Sequence, residues 1–180
     1  FDQLFWARGH RFVRYADDLR VFVKSKRAAQ RVLEVATRFF EETLRLKVNR
    51  AKSSVKPASS AELLGYGFYF AKGSQVKLRM APSTRQRVKD RIRELTSRRW
   101  SISMDERIRR LNQYMRGWMG YFRLIETPKV LQRLDKWFRR RLRQIRWKEW
   151  KTPKTRVRML RSLGVRADQA YQWGNANRAY

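Results

Sequence analysis

Arg11-Phe12-Val13-Arg14-Tyr15-Ala16-Asp17-Asp18-Leu19-Arg20-Val21-Phe22-Val23 is the stretch on which the reading of the first half of the chain turns. Residues 11–16 and 19–24 are rich in Val, Phe and Tyr, so each predicts a short strand, and the Asp pair between them supplies the turn of a β-hairpin. Both carboxylates then stand at the hairpin tip. Carboxylate oxygens are hard ligands suited to Mg2+, and two such ions held by aspartates can activate a hydroxyl and stabilise a departing pyrophosphate. Asp17 continues the alternation of Val13 and Tyr15 and is expected on their face, whereas Asp18 is either a ligand or a residue that only shapes the turn. Asp is also a common turn former, and on the dipeptide alone the plain turn is the better reading.

Further residues shift that balance. Ala29, Val32, Leu33, Ala36, Phe40, Thr43 and Leu44 recur at helical spacing, which predicts a helix from about 27 to 46 that packs on the sheet carrying the hairpin. Leu46-Lys47-Val48-Asn49 follows, with Lys52 three residues on. After a Pro57-Ala58-Ser59-Ser60 loop comes the apolar run Leu63 to Phe70.

Taken in order, RYADDLRVFV (14–23), LKVNRAKS (46–53) and LLGYGFY (63–69) resemble the catalytic core of a reverse transcriptase, from its hairpin motif through a lysine motif to the primer-grip turn. ISMDERIRRLNQYMRGWMGYFRL (102–124) and the ending Trp173-Gly174-Asn175 with Arg178 and Tyr180 resemble the maturase-specific domain of bacterial group II intron reverse transcriptases. The resemblance implies an α+β chain. A partial reverse-transcriptase palm (1–80) of hairpin, helix and further strands would be followed by an all-α three-helix thumb or maturase domain (81–150) and a basic helical tail of the maturase region (151–180). It implies that Asp17 is a metal ligand and Asp18 its neighbour in a Mg2+ site, with Tyr15 and Ala16 beside the incoming nucleotide and primer end. Lys52 matches the lysine near the nucleotide phosphates, where it would neutralise or protonate the leaving pyrophosphate; the alternative is one more solvated lysine. Leu64, Gly65 and Tyr66 match the turn that holds the primer strand, the alternative being a plain strand with a bend.

A two-metal polymerase site needs another aspartate, and the only acidic residue before the hairpin is Asp2, which lies in an apparently helical piece and not in an apolar strand. The expectation is that these residues alone do not polymerise, although the protein to which they belong does.

Composition points to a polyanionic partner. Lys and Arg number 45 against 15 Asp and Glu, a formal charge of +30, far beyond what solubility requires. With 42% hydrophobic and 13% aromatic residues the chain can build a core, which excludes a disordered basic tail. No stretch is apolar enough to cross a membrane. The absence of cysteine excludes a disulfide framework and a thiolate zinc site. With no signal-peptide pattern, an intracellular, cytoplasmic location in a bacterium is expected. His10, the lone histidine, precedes a strand and reads as structural or exposed.

From about Ala81 helical signals replace strand signals. Pro82-Ser83 starts a helix with the stripe Val88, Ile92 and Leu95. Ser103-Met104-Asp105-Glu106 reads as a capping box that opens a second, whose Ile108, Leu111, Met115, Trp118, Phe122 and Ile125 mark a buried face. Gly117 and Gly120 cost that helix about 1 kcal/mol each relative to Ala. Close helix packing or backbone approach to RNA would offset this, and packing is favoured. Thr127 as N-cap with Pro128 opens a third helix, with Leu131, Leu134, Phe138, Leu142 and Ile145 inward and Arg133, Lys136, Arg140 and Arg143 opposite. Those four are expected to track RNA phosphates, and Trp147 and Trp150 to pack against the tail or stack on a base. Thr152-Pro153 starts a short helix that Gly164 ends; beyond basic charge the tail's chemistry is not legible, and no Cys/His nuclease cluster occurs in it.

Two functions follow from the resemblance. One is an RNA-directed DNA polymerase that copies group II intron RNA from a DNA primer with deoxynucleoside triphosphates and Mg2+. The other is a non-catalytic RNA-binding module that assists splicing.

Overall fold

The computed structural model describes residues 2–73 and 75–176, so Arg178 and Tyr180, which contribute to the resemblance, lie outside the described residues. The chain divides into two compact units, Phe1–Lys77 and Leu78–Tyr180.

The first unit opens with a short helix α1 (Asp2–Trp6) and the hairpin β1 (Arg11–Tyr15) and β2 (Asp18–Phe22). The two strands pair antiparallel with Tyr15 opposite Asp18 and Val13 opposite Arg20. Directly opposed residues share a face. The register therefore corrects the expectation from simple alternation: Asp18, not Asp17, shares the face of Val13 and Tyr15, because the two-residue turn Ala16-Asp17 uses up one step of the count. Ala16 holds a φ of 52°, a left-handed conformation that costs an L-residue about 1–2 kcal/mol.

Ser25 caps helix α2 (Lys26–Arg38), its Oγ accepting from the Ala28 N–H at 3.2 Å, and a π-type turn (Phe39–Thr43) continues the helix. Of the predicted apolar face Ala36 is buried, while Thr43 and Leu44 are exposed. The helix runs without a break into the π-type turn that extends it. A second sheet has the order β3-β4-β5, formed by β3 (Glu62–Leu63), β4 (Tyr66–Phe70) and β5 (Val76–Met80). The apolar run from Leu63 to Phe70 is thus broken by a tight turn. Leu63 pairs with Tyr66, and both intervening residues, Leu64 (φ 52°) and Gly65 (φ 82°), are left-handed, the combination a type I′ hairpin turn requires. An edge-on contact of Phe22 with Phe68, ring centres 6.4 Å apart, links the hairpin to β4.

The second unit is helical beyond β5: α3 (Pro82–Leu95), α4 (Met104–Tyr121), α5 (Pro128–Glu149), α6 (Pro153–Ser162) and α7 (Ala167–Asn175). Val88, Ile92 and Leu95 are buried as their spacing predicts. On α4 and the turn after it the buried face is the predicted one at Leu111, Trp118, Phe122 and Ile125, but not at its first position. Met104, Arg107, Leu111, Trp118, Phe122 and Ile125 are inside, whereas Ile108 is 39% exposed. Arg107 takes the place an apolar residue was expected to hold. Its Nη1 donates to the carbonyls of Leu95 (3.2 Å) and Ser97 (2.8 Å), and its Nη2 to that of Trp100 (3.1 Å). One buried guanidinium thereby satisfies the end of α3, whose last carbonyls have no partner within the helix.

Helix ends also depart from their sequence signatures. The capping box is half made: Ser103 Oγ accepts from the Glu106 N–H at 3.2 Å, but the Glu106 carboxylate turns to Arg109 and Arg110. Those two guanidinium groups hold its pKa down to about 2. Thr127 occupies the N-cap position of α5 without a side-chain cap bond, and its buried Oγ1 has no partner. The residue before it, Glu126, instead ties the loop to β5: its N–H donates to the Leu78 carbonyl (2.9 Å) and its carboxylate accepts from the Leu78 N–H (2.7 Å).

Gly117 and Gly120 face open space, with no atom within 4 Å of where a Cβ would stand. The favoured explanation, close helix packing, is therefore overturned for both. Trp150 forms a small core with Leu160 and Ala170, and Trp147, Val157, Met159 and Val165 pack around it. Of the two roles open to these tryptophans, packing against the tail is the one observed. Helix α6 ends in a Schellman motif, with Val165 N–H donating to Leu160 O (3.1 Å) and Gly164 N–H to Arg161 O (3.0 Å), and Gly164 at φ 84°.

Candidate nucleic-acid interface

The exposed side of α5 carries Arg133, Lys136, Arg140 and Arg143, all exposed. Their steps of three, four and three place them on one stripe, about 15 Å long at 1.5 Å per residue. None of the four makes an ion pair or side-chain hydrogen bond among the described residues. The acids on the same helix are committed elsewhere: Asp135 to Arg139 (2.8 Å) and Glu149 to Arg146 (3.0 Å). The stripe is thus an uncompensated row of cations. A polyanion placed along it replaces counterions rather than breaking internal pairs.

Flanking cations lie over an aromatic ring. Lys89, Arg93 and Arg141 lie 5.8, 5.6 and 5.5 Å from the Trp137 ring centre. Arg141 also donates to Thr96 Oγ1 (2.7 Å). Its burial, together with the nearby Arg93 and Arg98, lowers its pKa, yet a guanidinium so far above neutrality stays charged. Sequence reasoning missed Arg141 and Trp137. The signal available was a cation and a tryptophan four residues apart on one face.

In the first unit, Asp17 lies in the exposed hairpin turn and Asp18 opens β2. Asp18 stands 3.5 Å from an Arg20 guanidinium nitrogen, and Asp17 has no ion-pair partner among the described residues. Asp2, the other acid near the hairpin, is engaged by Arg14 through two bonds of 3.0 and 2.9 Å, which lower its pKa. Among the described residues no group of three His, Cys, Asp or Glu could hold a metal ion. Two carboxylates, one of them facing an arginine, are too few for a two-ion Mg2+ centre. Tyr15, 60% exposed, ends β1, and Ala16 begins the turn. Lys52 sits in a turn whose amide is held by Asn49 Oδ1 (3.2 Å), and its side chain is joined to neither aspartate. Leu64, Gly65 and Tyr66 form the hairpin between β3 and β4 described above.

The second unit is a basic, arginine-rich helical domain with an uncompensated row of cations along α5. Residues 85–164 match the family described as group II intron, maturase-specific domain. The matched segment runs from the first turn of α3 to the glycine that ends α6, and it is what this part of the chain is similar to. No curated protein matches the chain.

Proposed function

We propose that the second unit binds group II intron RNA along the α5 stripe and assists its splicing. The observation that carries this reading is the row Arg133, Lys136, Arg140 and Arg143, exposed and without internal partners, within a segment similar to the maturase-specific domain. Phosphate contacts of this kind give an affinity that falls steeply with salt, with a slope in log K against log salt of about 0.7–0.9 per contact. Replacing all four cations by glutamine lowers that slope by about 3 and weakens binding to structured intron RNA. An unchanged slope in the fourfold variant defeats the proposal.

A second reading is favoured by Asp17, a carboxylate without an ion pair in an exposed hairpin turn. In it, Tyr15-Ala16-Asp17-Asp18 contributes to an RNA-directed DNA polymerase centre that uses Mg2+ and deoxynucleoside triphosphates on an RNA template with a DNA primer, in a bacterial cytoplasm. Lys52 and the Leu64-Gly65-Tyr66 turn serve nucleotide and primer. Such a centre needs a further carboxylate, which no group among the described residues supplies beside the hairpin turn, so the 180 residues alone do not extend a primer. Primer extension by the complete protein, abolished by Asp17→Ala with RNA affinity retained, supports this reading. Loss of RNA affinity and extension together marks the pair as structural.

A further inference from the structure

Helices α6 and α7 lie in close contact. A Cβ at Gly174 would stand 2.5 Å from Val157 Cγ2 and 3.0 Å from Val157 N, so the two helices meet there without space for any side chain. That contact and the Schellman turn between the helices fix the walls of an open groove of about 710 Å³. Its volume falls in the range of sites that take small organic ligands.

The groove's chemistry is one-sided. Lys154, Arg158 and Arg161 line it from α6 at steps of four and three, on one face of that helix, and Tyr171 and Asn175 line it from α7. None of the three cations has an ion pair or side-chain hydrogen bond among the described residues. The nearest acids in sequence, Glu149 and Asp168, are held by Arg146 (3.0 Å) and by Arg166 (3.2 and 2.5 Å), and no carboxylate lines the groove. Tyr171 leaves 66% of its surface to solvent. The Asn175 amide N–H donates to the Tyr171 carbonyl at 2.8 Å, which leaves the amide oxygen as an acceptor at the groove's edge. An exposed aromatic ring alone requires no explanation. A ring in a preformed groove beside three uncompensated cations is the combination that binds an unstacked base together with its phosphates.

We propose that the α6–α7 groove holds an unpaired nucleotide of single-stranded RNA, the base stacked on Tyr171 and the flanking phosphates on Lys154, Arg158 and Arg161. This rests on the reading of the second unit as RNA-binding and adds to it a site that distinguishes unpaired from paired strands. A duplex keeps its bases stacked and can offer the groove only phosphates.

The test uses the full chain with a single-stranded RNA carrying 2-aminopurine, whose fluorescence is quenched on stacking, and an unlabelled RNA duplex of equal length. Tyr171→Ala weakens single-strand binding roughly 5- to 150-fold, the range of base–aromatic stacking, and abolishes the quenching. Tyr171→Phe keeps both, and duplex affinity is the same in all three proteins. Arg158→Ala lowers the single-strand salt slope by about 0.7. Because Tyr171 is exposed, both Tyr171 variants keep the wild-type melting temperature. Unchanged single-strand affinity in Tyr171→Ala overturns the proposal, as does an equal loss for duplex, or a loss in Tyr171→Phe that matches Tyr171→Ala. Equal binding of the corresponding single-stranded DNA, or displacement of the RNA by a polyglutamate peptide at comparable concentration, overturns the assignment to RNA. Failure of the unaltered chain to bind either RNA defeats the parent reading as well, and the fourfold α5 variant separates the two: it loses duplex binding, which Tyr171→Ala does not.

Discussion

Replacing Arg107 by leucine tests how the second unit is held together. The guanidinium is 2% exposed and donates to three main-chain carbonyls. Hydrogen bonds to a charged group contribute roughly 1.5–3 kcal/mol each, so the three together approach about 5–9 kcal/mol. Against this stands the penalty of keeping a charge out of water, several kcal/mol, which leucine removes. Burial lowers the Arg107 pKa, with the distant Glu149 opposing, and the Nε remains without a partner, so the penalty is real. What decides the balance is the fate of the acceptors. Ser97 O keeps a long contact from the Trp100 N–H at 3.5 Å, but the carbonyls of Leu95 and Trp100 lose the donor they have. Each orphaned carbonyl costs about 1–3 kcal/mol. The expected net loss is about 3 kcal/mol, or a drop in melting temperature of roughly 10–20 °C for a unit of this size. Arg107→Lys, which keeps charge but not the fork, falls between. Urea unfolding followed by tryptophan fluorescence measures this, since Trp100 and Trp118 lie close to the substituted residue in the sequence. A leucine variant within about 0.5 kcal/mol of the wild type would refute the reasoning and make Arg107 one of the buried charges that apolar side chains replace without loss.

Three further outcomes are expected. Gly117→Ala and Gly120→Ala each raise stability by about 0.5–1 kcal/mol, because a methyl group at either site meets nothing and the helix gains propensity; a lower thermal midpoint in both would contradict the open surroundings. Thr127→Val is neutral or stabilising by up to about 1 kcal/mol, whereas loss of a working N-cap costs a similar amount in the opposite direction, so the sign of the shift in urea midpoint decides. Glu106 has a folded pKa of about 2, below its usual 4.5. The stabilisation it provides is complete above the usual value and is lost as pH falls toward 2, and Glu106→Gln flattens the fall of urea midpoint between pH 5 and 2.

Periodic features were legible in the sequence because burial obeys spacing: Val88, Ile92 and Leu95 on α3, and Leu134 and Ile145 on α5, are inside where the helical period puts them. One-residue questions were not. Whether Asp18 lies in the turn or opens β2 depends on whether the two-residue turn is Asp17-Asp18 or Ala16-Asp17, which the dipeptide does not specify. Arg107 displaced Ile108 because a long side chain can carry its donors to carbonyls at the end of α3 and in the loop after it, and no count of apolar residues includes such acceptors. Thr127 has the residue type and place of a cap without the bond, since Pro128 fixes where the helix starts whether or not the hydroxyl is used. The stripe Lys154, Arg158 and Arg161 was present in the sequence, but its meaning depends on Tyr171, and only the folding of α7 against α6 brings a ring beside those charges.

The division of buried side chains has a calorimetric consequence. Among the described residues of the first unit, the buried apolar side chains are Phe5 and Ala36, whereas the second unit buries Val88, Ile92, Leu111, Leu134, Ile145, Leu160 and others. The heat-capacity change of unfolding follows apolar surface newly exposed to water. Melting the first unit therefore adds little to that change and spreads over a wide temperature range, while the helical unit supplies most of the step and the sharper of the two heat-absorption peaks.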